Sequence, residues 1–138
     1  MTKIITLCGS TRFKREYEEA EARETMAGKI VLTCGLFGHA DNVELTEEQK
    51  MMLDELHLKK IAMSNEVLVI DAPLLICPRC NTKWRHDHVR VQRCSCGAEI
   101  SDVQPSPYFG DSTRREIAYA VSLGIPVRYL SQEDQTND

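Results

Sequence analysis

Apolar and polar positions fall into alternating blocks along this chain. Lys3-Ile4-Ile5-Thr6-Leu7 is a short apolar run rich in β-branched residues that stops at Cys8-Gly9-Ser10-Thr11, the pattern of a buried strand entering a tight loop. From Arg12 to about Gly28 the sequence is rich in Ala and Glu, with Phe13, Tyr17, Ala20 and Met26 at roughly helical spacing and Gly28 as the stop. Ile30-Val31-Leu32-Thr33-Cys34 predicts a second strand, and Gly35 to Glu44 a glycine-containing loop placed to lie over a site. Thr46 with Gln49 resembles a capping box. The helix behind it carries an apolar stripe of Met52, Leu53, Leu56, Ile61 and Met63. Glu66-Val67-Leu68-Val69-Ile70-Asp71 is a third strand ending in a carboxylate. Ser112 to Gly124 predicts a further helix with Ile117, Ala118, Ala120, Val121 and Leu123 on its buried side. Ile125 to Leu130 is the last strand, and Ser131 to Asp138 a polar, fraying tail.

Strands that are apolar throughout and alternate with helices imply a parallel sheet covered on both faces. The expected fold class is therefore α/β: a three-layer parallel sheet of flavodoxin-like or Rossmann-like type. Ligands bind such sheets at the carboxyl ends of the strands, so Cys8 to Arg12, Gly35 to Asn42, Asp71 and the loop before Ser112 should meet there.

The 138 residues allow one hydrophobic core plus a minor insertion. Apolar residues at 42% and charged residues at 28% are the balance of a folded soluble protein. A net charge of -4 argues against a general polyanion binder and hence against nucleic acid. No apolar run is long enough to span a bilayer, and the first residues lack the apolar stretch of a secretion signal, so a cytoplasmic protein without a membrane partner is expected.

Four of the six cysteines crowd into one stretch as two close pairs, Cys77-Pro78-Arg79-Cys80 and Cys94-Ser95-Cys96-Gly97. Paired turns of this kind supply a tetrahedral zinc site. The single residue between Cys94 and Cys96 leaves room for His86 or His88 to replace a cysteine. The expected architecture is an α/β domain over 1–73 and 107–138, interrupted by a zinc ribbon over 74–106. The zinc would be structural: about two dozen residues cannot hold a core unaided, and four protein ligands leave no open position. A competing reading makes the ribbon a contact for nucleic acid or protein through Arg79, Lys83, exposed Trp84, Arg85, Arg90 and Arg93.

The most specific local signal is Tyr108-Phe109-Gly110-Asp111-Ser112-Thr113-Arg114-Arg115-Glu116-Ile117-Ala118-Tyr119-Ala120. With the Cys8-Gly9-Ser10-Thr11-Arg12 loop and Val67-Leu68-Val69-Ile70-Asp71, it resembles the nucleoside deoxyribosyltransferase superfamily, which includes the nucleoside 5'-monophosphate N-glycosidases. The resemblance covers nearly the whole chain outside Leu74 to Ser106. It implies an enzyme that cleaves or exchanges the bond between a nucleobase and a 2-deoxyribose-type sugar. Glu116 would be the nucleophile at the anomeric carbon, and Asp71 would handle a proton at the departing base. The substrate-binding set would be Cys8, Gly9, Ser10, Thr11, Arg12, Tyr108, Gly110, Ser112, Thr113 and Arg114. Ser10, Arg12 and the Ser112-Thr113-Arg114 helix start suit a 5'-phosphate. No tyrosine lies in Cys8 to Phe13, where that family often presents one to its nucleophile, so Tyr17 or Tyr108 would stand in. A homo-oligomer is also implied, with Met51, Met52 and Leu36-Phe37 as candidate contacts.

Plainer readings stand beside these. Thr113 and Glu116 also form a capping-box pattern, which would make the glutamate a helix cap, and Asp71 could simply close a strand. A nucleotide sensor without turnover and a ribbon-based adaptor are the two rival functions.

Overall fold

The structure, a computed structural model, describes residues 1–85 and 93–133. The chain divides into two compact units, one of Met1–Asp71 with the residues from Phe109 onward, the other Ala72–Tyr108.

In the first unit β1 (Ile4–Gly9), β2 (Ile30–Leu32), β3 (Glu66–Ile70) and β7 (Val127–Tyr129) form a parallel sheet of order β2-β1-β3-β7. The helices α1 (Lys14–Met26), α2 (Glu47–Ala62) and α3 (Asp111–Ser122) alternate with these strands, and α4 (Leu130–Glu133) follows β7. This is an α/β architecture compatible with a Rossmann-like fold. Side chains of opposite parity on β1 and β3 point to opposite faces. Ile5, Leu7, Leu68 and Ile70 on one face are fully buried, and so are Thr6, Cys8, Val67 and Val69 on the other, so both faces are covered. On the Cys8 face the core joins Ile61 of α2 and Ala120 of α3, with Leu58, Phe109 and Ile117 packed around them.

β1 ends against its neighbour at very short range. Gly9 has φ +151, and a Cβ built there would stand 2.6 Å from the carbonyl oxygen of Ile70, so only glycine fits this turn. That close approach fixes the direction in which the Cys8–Arg12 loop leaves the sheet.

The capping box on α2 forms as read: Thr46 accepts from the Gln49 amide and the Gln49 side chain accepts from the Thr46 amide. The buried face of α2 differs from the expected stripe. Met52, Leu56 and Met63 are exposed, while the inward positions are Leu53, His57 and Ile61, spaced four apart. On α3, Ala118, Val121 and Leu123 are exposed as well. Its buried positions are Thr113, Glu116 and Ala120, with Ile117 half-buried, so polar residues occupy places where apolar ones were expected. On α1 the outlier is Met26, which lies exposed beyond the buried Tyr17 and Ala20. Ser131–Glu133 belong to α4 and are pinned; only 134–138 of the expected tail lie outside the described residues.

A charge network ties the base of this unit. Glu24, nearly fully buried, receives Lys29 Nζ and Arg128 Nη2 at 2.8 Å each and Arg23 Nε at 3.2 Å. Lys29 and Arg128 also reach Glu66, and Arg128 pairs with Glu133. Burial opposes ionisation of Glu24, but the hydrogen bonds from Lys29, Arg128 and Arg23 outweigh it and hold the carboxyl at about 2. A carboxylate whose folded value lies below its ordinary 4.5 adds stability above that value and loses it on descent through the folded one. The denaturation midpoint should therefore fall as pH drops from about 4.5 towards 2, and Glu24→Gln should remove part of that dependence. Urea titrations of both proteins across this range measure it.

The second unit holds β4 (Pro73–Ile76), β5 (Lys83–Arg85) and β6 (Ser106–Pro107) in an antiparallel sheet of order β5-β4-β6. Its core is Cys77, Cys94 and Ile100, with Trp84, Ala98 and Val103 packed against them.

Candidate functional site

Two clusters of donor atoms stand out among the described residues. The first is formed by Cys77, Cys80, Cys94 and Cys96. The chain makes the two turns with residues suited to left-handed backbone, Asn81 at φ 68 and Gly97 at φ 92. Asn81 donates its amide to the Cys77 carbonyl and Gly97 to that of Cys94, which folds each pair back on itself. The Sγ atoms lie 3.7 Å apart for Cys77 and Cys96 and 3.4 Å apart for Cys80 and Cys94. The tetrahedral edge of four thiolates around zinc is about 3.8 Å, whereas a disulfide needs about 2 Å, so the spacing is that of a metal site. The Thr82 hydroxyl and amide pull the Cys80 thiol down to about 6, which favours the thiolate a metal requires. His86, His88 and Arg90 lie outside the described residues.

Three of the basic groups near these cysteines are engaged with the unit itself. Arg93 pairs with Glu99 at 3.3 Å, the Lys83 ammonium donates to the Asn81 carbonyl and lies 5.7 Å from the Tyr108 ring, and Arg79 reaches the Cys96 carbonyl. Trp84 was expected to be exposed; it is half-buried against the cysteine core, where a large apolar ring gains most by covering the cluster.

The second cluster lies at the carboxyl end of β1 and joins three elements: Cys8 of β1, His57 of α2 and Glu116 of α3, all buried. Cys8 Sγ is 3.3 Å from His57 Nε2, and that nitrogen is 3.9 Å from Glu116 Oε1. The Cys8 sulfur and the Glu116 carboxylate also lie within 4.8 Å of one another. Burial, reinforced by the charge of Asp54, pushes Glu116 up to about 7 against the opposing influence of Cys8 and Arg115. Burial, with the charge of Lys60, pulls His57 down to about 4 and leaves the imidazole neutral. Burial and the neighbouring Glu116 raise the Cys8 thiol well above its usual range.

The capping alternative for Glu116 does not hold. α3 begins at Asp111 behind Gly110 as N-cap and has no side-chain cap hydrogen bond, so Thr113 is already inside the helix and Glu116 a turn further in. Its carboxylate is turned to the sheet, where Cys8 and His57 meet it.

The other expected site residues are distributed unevenly. Ser10 accepts the Arg12 amide at 3.3 Å, and Thr11 accepts the His39 amide at 3.2 Å, which brings the 35–44 loop onto the first loop. Lys14 with Asp41, and Tyr17 edge-on to Phe37, fasten the same loop. Arg12 Nε is buried without a hydrogen-bond partner among the described residues. Gly110 caps α3, Ser112 receives Arg115, and Arg114 lies 5.3 Å from the Phe109 ring. Tyr108 belongs to the second unit, its amide bonded to the Ala72 carbonyl. Tyr17 donates its hydroxyl to the Gly9 carbonyl, and the side chains that meet Glu116 are Cys8 and His57. Asp71 is buried with both oxygens held by Ser131, the amide at 2.8 Å and the hydroxyl at 2.6 Å. It is seen in a structural role, fastening α4 to the end of β3.

The residue that sequence reasoning missed is His57. Its signal was present in the four-residue spacing of Leu53, His57 and Ile61, which puts an imidazole on the inward side of an amphipathic helix. No helix among the described residues is long and apolar enough to cross a membrane. The chain matches no protein-family model, and no curated protein matches it.

Proposed function

We propose that the first unit cleaves or transfers at the N-glycosidic bond of a deoxynucleoside or its 5'-monophosphate, with Glu116 as nucleophile, in the manner of the nucleoside deoxyribosyltransferases. The observation that carries this reading is the placement of a buried, non-capping carboxylate at the carboxyl end of the first strand, where open parallel sheets bind ligands. Glu116 attacks C1' as the bond from C1' to the base breaks. The electron pair leaves with the base, whose nitrogen takes a proton from solvent water. Water or a second base then attacks C1', and the ester to Glu116 breaks. Cys8 and neutral His57 pack beside the carboxylate without adding a competing charge. The partnerless Arg12 Nε and the uncapped amides at the start of α3 favour a phosphate on the substrate.

The four-cysteine cluster is assigned to structural zinc. The donor set and spacing fit zinc, and four thiolates leave no position for substrate. The ion would be held by Cys77, Cys80, Cys94 and Cys96 and would stabilise a unit with only a small apolar core.

The test is to incubate the folded protein with a panel of deoxynucleosides and their monophosphates, with and without an acceptor base, and to separate the products. Free base or an exchanged nucleoside supports the reading. Tight binding of an unchanged ligand would favour the sensor and end the enzymatic proposal.

A further inference from the structure

We propose that Cys8, His57 and Glu116 form a second metal site, which takes a zinc-class divalent cation through a thiolate, an imidazole and a carboxylate and leaves a fourth position open. Only the functional consequence drawn below rests on the reading of Glu116 as nucleophile.

The geometry is the first ground. Zinc bonded to sulfur at about 2.3 Å and to nitrogen or oxygen at about 2.0–2.2 Å sets tetrahedral neighbours about 3.3–3.6 Å apart. The measured separations are 3.3 Å from Cys8 Sγ to His57 Nε2 and 3.9 Å from that nitrogen to Glu116 Oε1, with the three donors within 4.8 Å of one another. A rotation of the Glu116 carboxylate closes the longer gap. The three donors stand on a strand and two helices rather than on loops, which is how a site is held to such tolerances. Cys8 is paired with Val69 of β3 in the parallel sheet, which gives it a fixed seat.

The surroundings are the second ground. His57 and Glu116 sit on helices that pack together against β1, so the imidazole and the carboxylate are presented to Cys8 from a covered side. The neighbouring cations are committed elsewhere: the Lys60 ammonium donates to the Thr33 carbonyl at 2.7 Å, and Arg115 donates to the Ser112 hydroxyl at 3.2 Å. A sulfur and an imidazole among the donors select zinc, cobalt or a similar ion over magnesium or calcium. Three protein ligands, in contrast to the four of the cysteine cluster, leave room for water or an anionic ligand.

An ion held here takes the Glu116 carboxylate, so it blocks attack on C1' and acts as an inhibitor of the proposed reaction. The experiment is equilibrium dialysis of the full-length protein against zinc, with ions per chain counted by plasma mass spectrometry, for the native protein, His57→Ala and Glu116→Gln. Two ions per chain in the native protein and one in each variant are expected. One ion in the native protein, or two retained by both variants, overturns the site. Thermal denaturation of the variants confirms their fold, and cobalt substitution gives a second readout: a band from the mixed-donor site that His57→Ala removes while the four-thiolate band stays. Base release separates this inference from the reading beneath it. Zinc inhibition of the native protein that His57→Ala relieves supports both. Two bound ions with undiminished turnover keep the site and overturn Glu116 as nucleophile.

Discussion

Glu116→Gln is expected to lower base release by about three orders of magnitude or more while leaving the fold intact, because an amide cannot form and release the glycosyl ester. The size of the effect follows from the position of the side chain. Glu116 caps nothing, and its burial penalises charge rather than the neutral form, so a neutral isostere fits the same space at little cost in stability. A cap residue would behave in the opposite way, with a stability loss of about 1 kcal/mol and no change in the chemistry. Initial rates and a denaturation curve for the same preparation separate the two. A variant that turns over at the native rate removes the nucleophile from the account.

If the four-cysteine cluster holds zinc as proposed, removal of the ion is expected to unfold the Ala72–Tyr108 unit and to spare the parallel sheet. Structural zinc contributes about 10–16 kcal/mol of binding free energy in small domains, far more than a core of Cys77, Cys94 and Ile100 with their half-buried neighbours can replace. The chain has one tryptophan, and Trp84 packs on that core, so its fluorescence reports this unit alone. A strong chelator should shift the Trp84 emission to the red and quench its near-ultraviolet dichroism. The far-ultraviolet helix signal, which comes from α1, α2 and α3 of the other unit, should persist. Emission that does not move on complete removal of metal would show that the cysteines hold this unit without an ion. Cys94→Ser repeats the test without a chelator.

The order of strands and helices was legible in the sequence because each strand of the sheet is a compact apolar run and longer, mixed segments separate these runs. Thr46 and Gln49 marked the start of α2 by local chemistry that needs no tertiary context. The helix faces were harder to read. Apolar side chains such as Met52, Leu56 and Val121 are exposed, while His57 and Glu116 are buried on the inward side, where they meet Cys8. Hydropathy alone assigns such residues to the surface, and only the meeting of three elements reveals that they share a site. The metal cluster is different. Cysteine pairs reveal themselves by spacing, and the turns between their members are local. Asp71 was visible as a strand-end carboxylate, but its partner Ser131 lies sixty residues on, beyond the reach of any local pattern.

The central claim is that a sugar becomes bonded to Glu116. The direct measurement is to trap that bond with a nucleoside or nucleotide carrying fluorine at the sugar 2' position, which slows breakdown of the glycosyl ester more than its formation, and to map the mass of the labelled peptides. A sugar-sized increment on the peptide that contains Glu116, absent in Glu116→Gln, is the predicted result. Base release with no increment on that peptide, or with the label on another residue, would contradict the account.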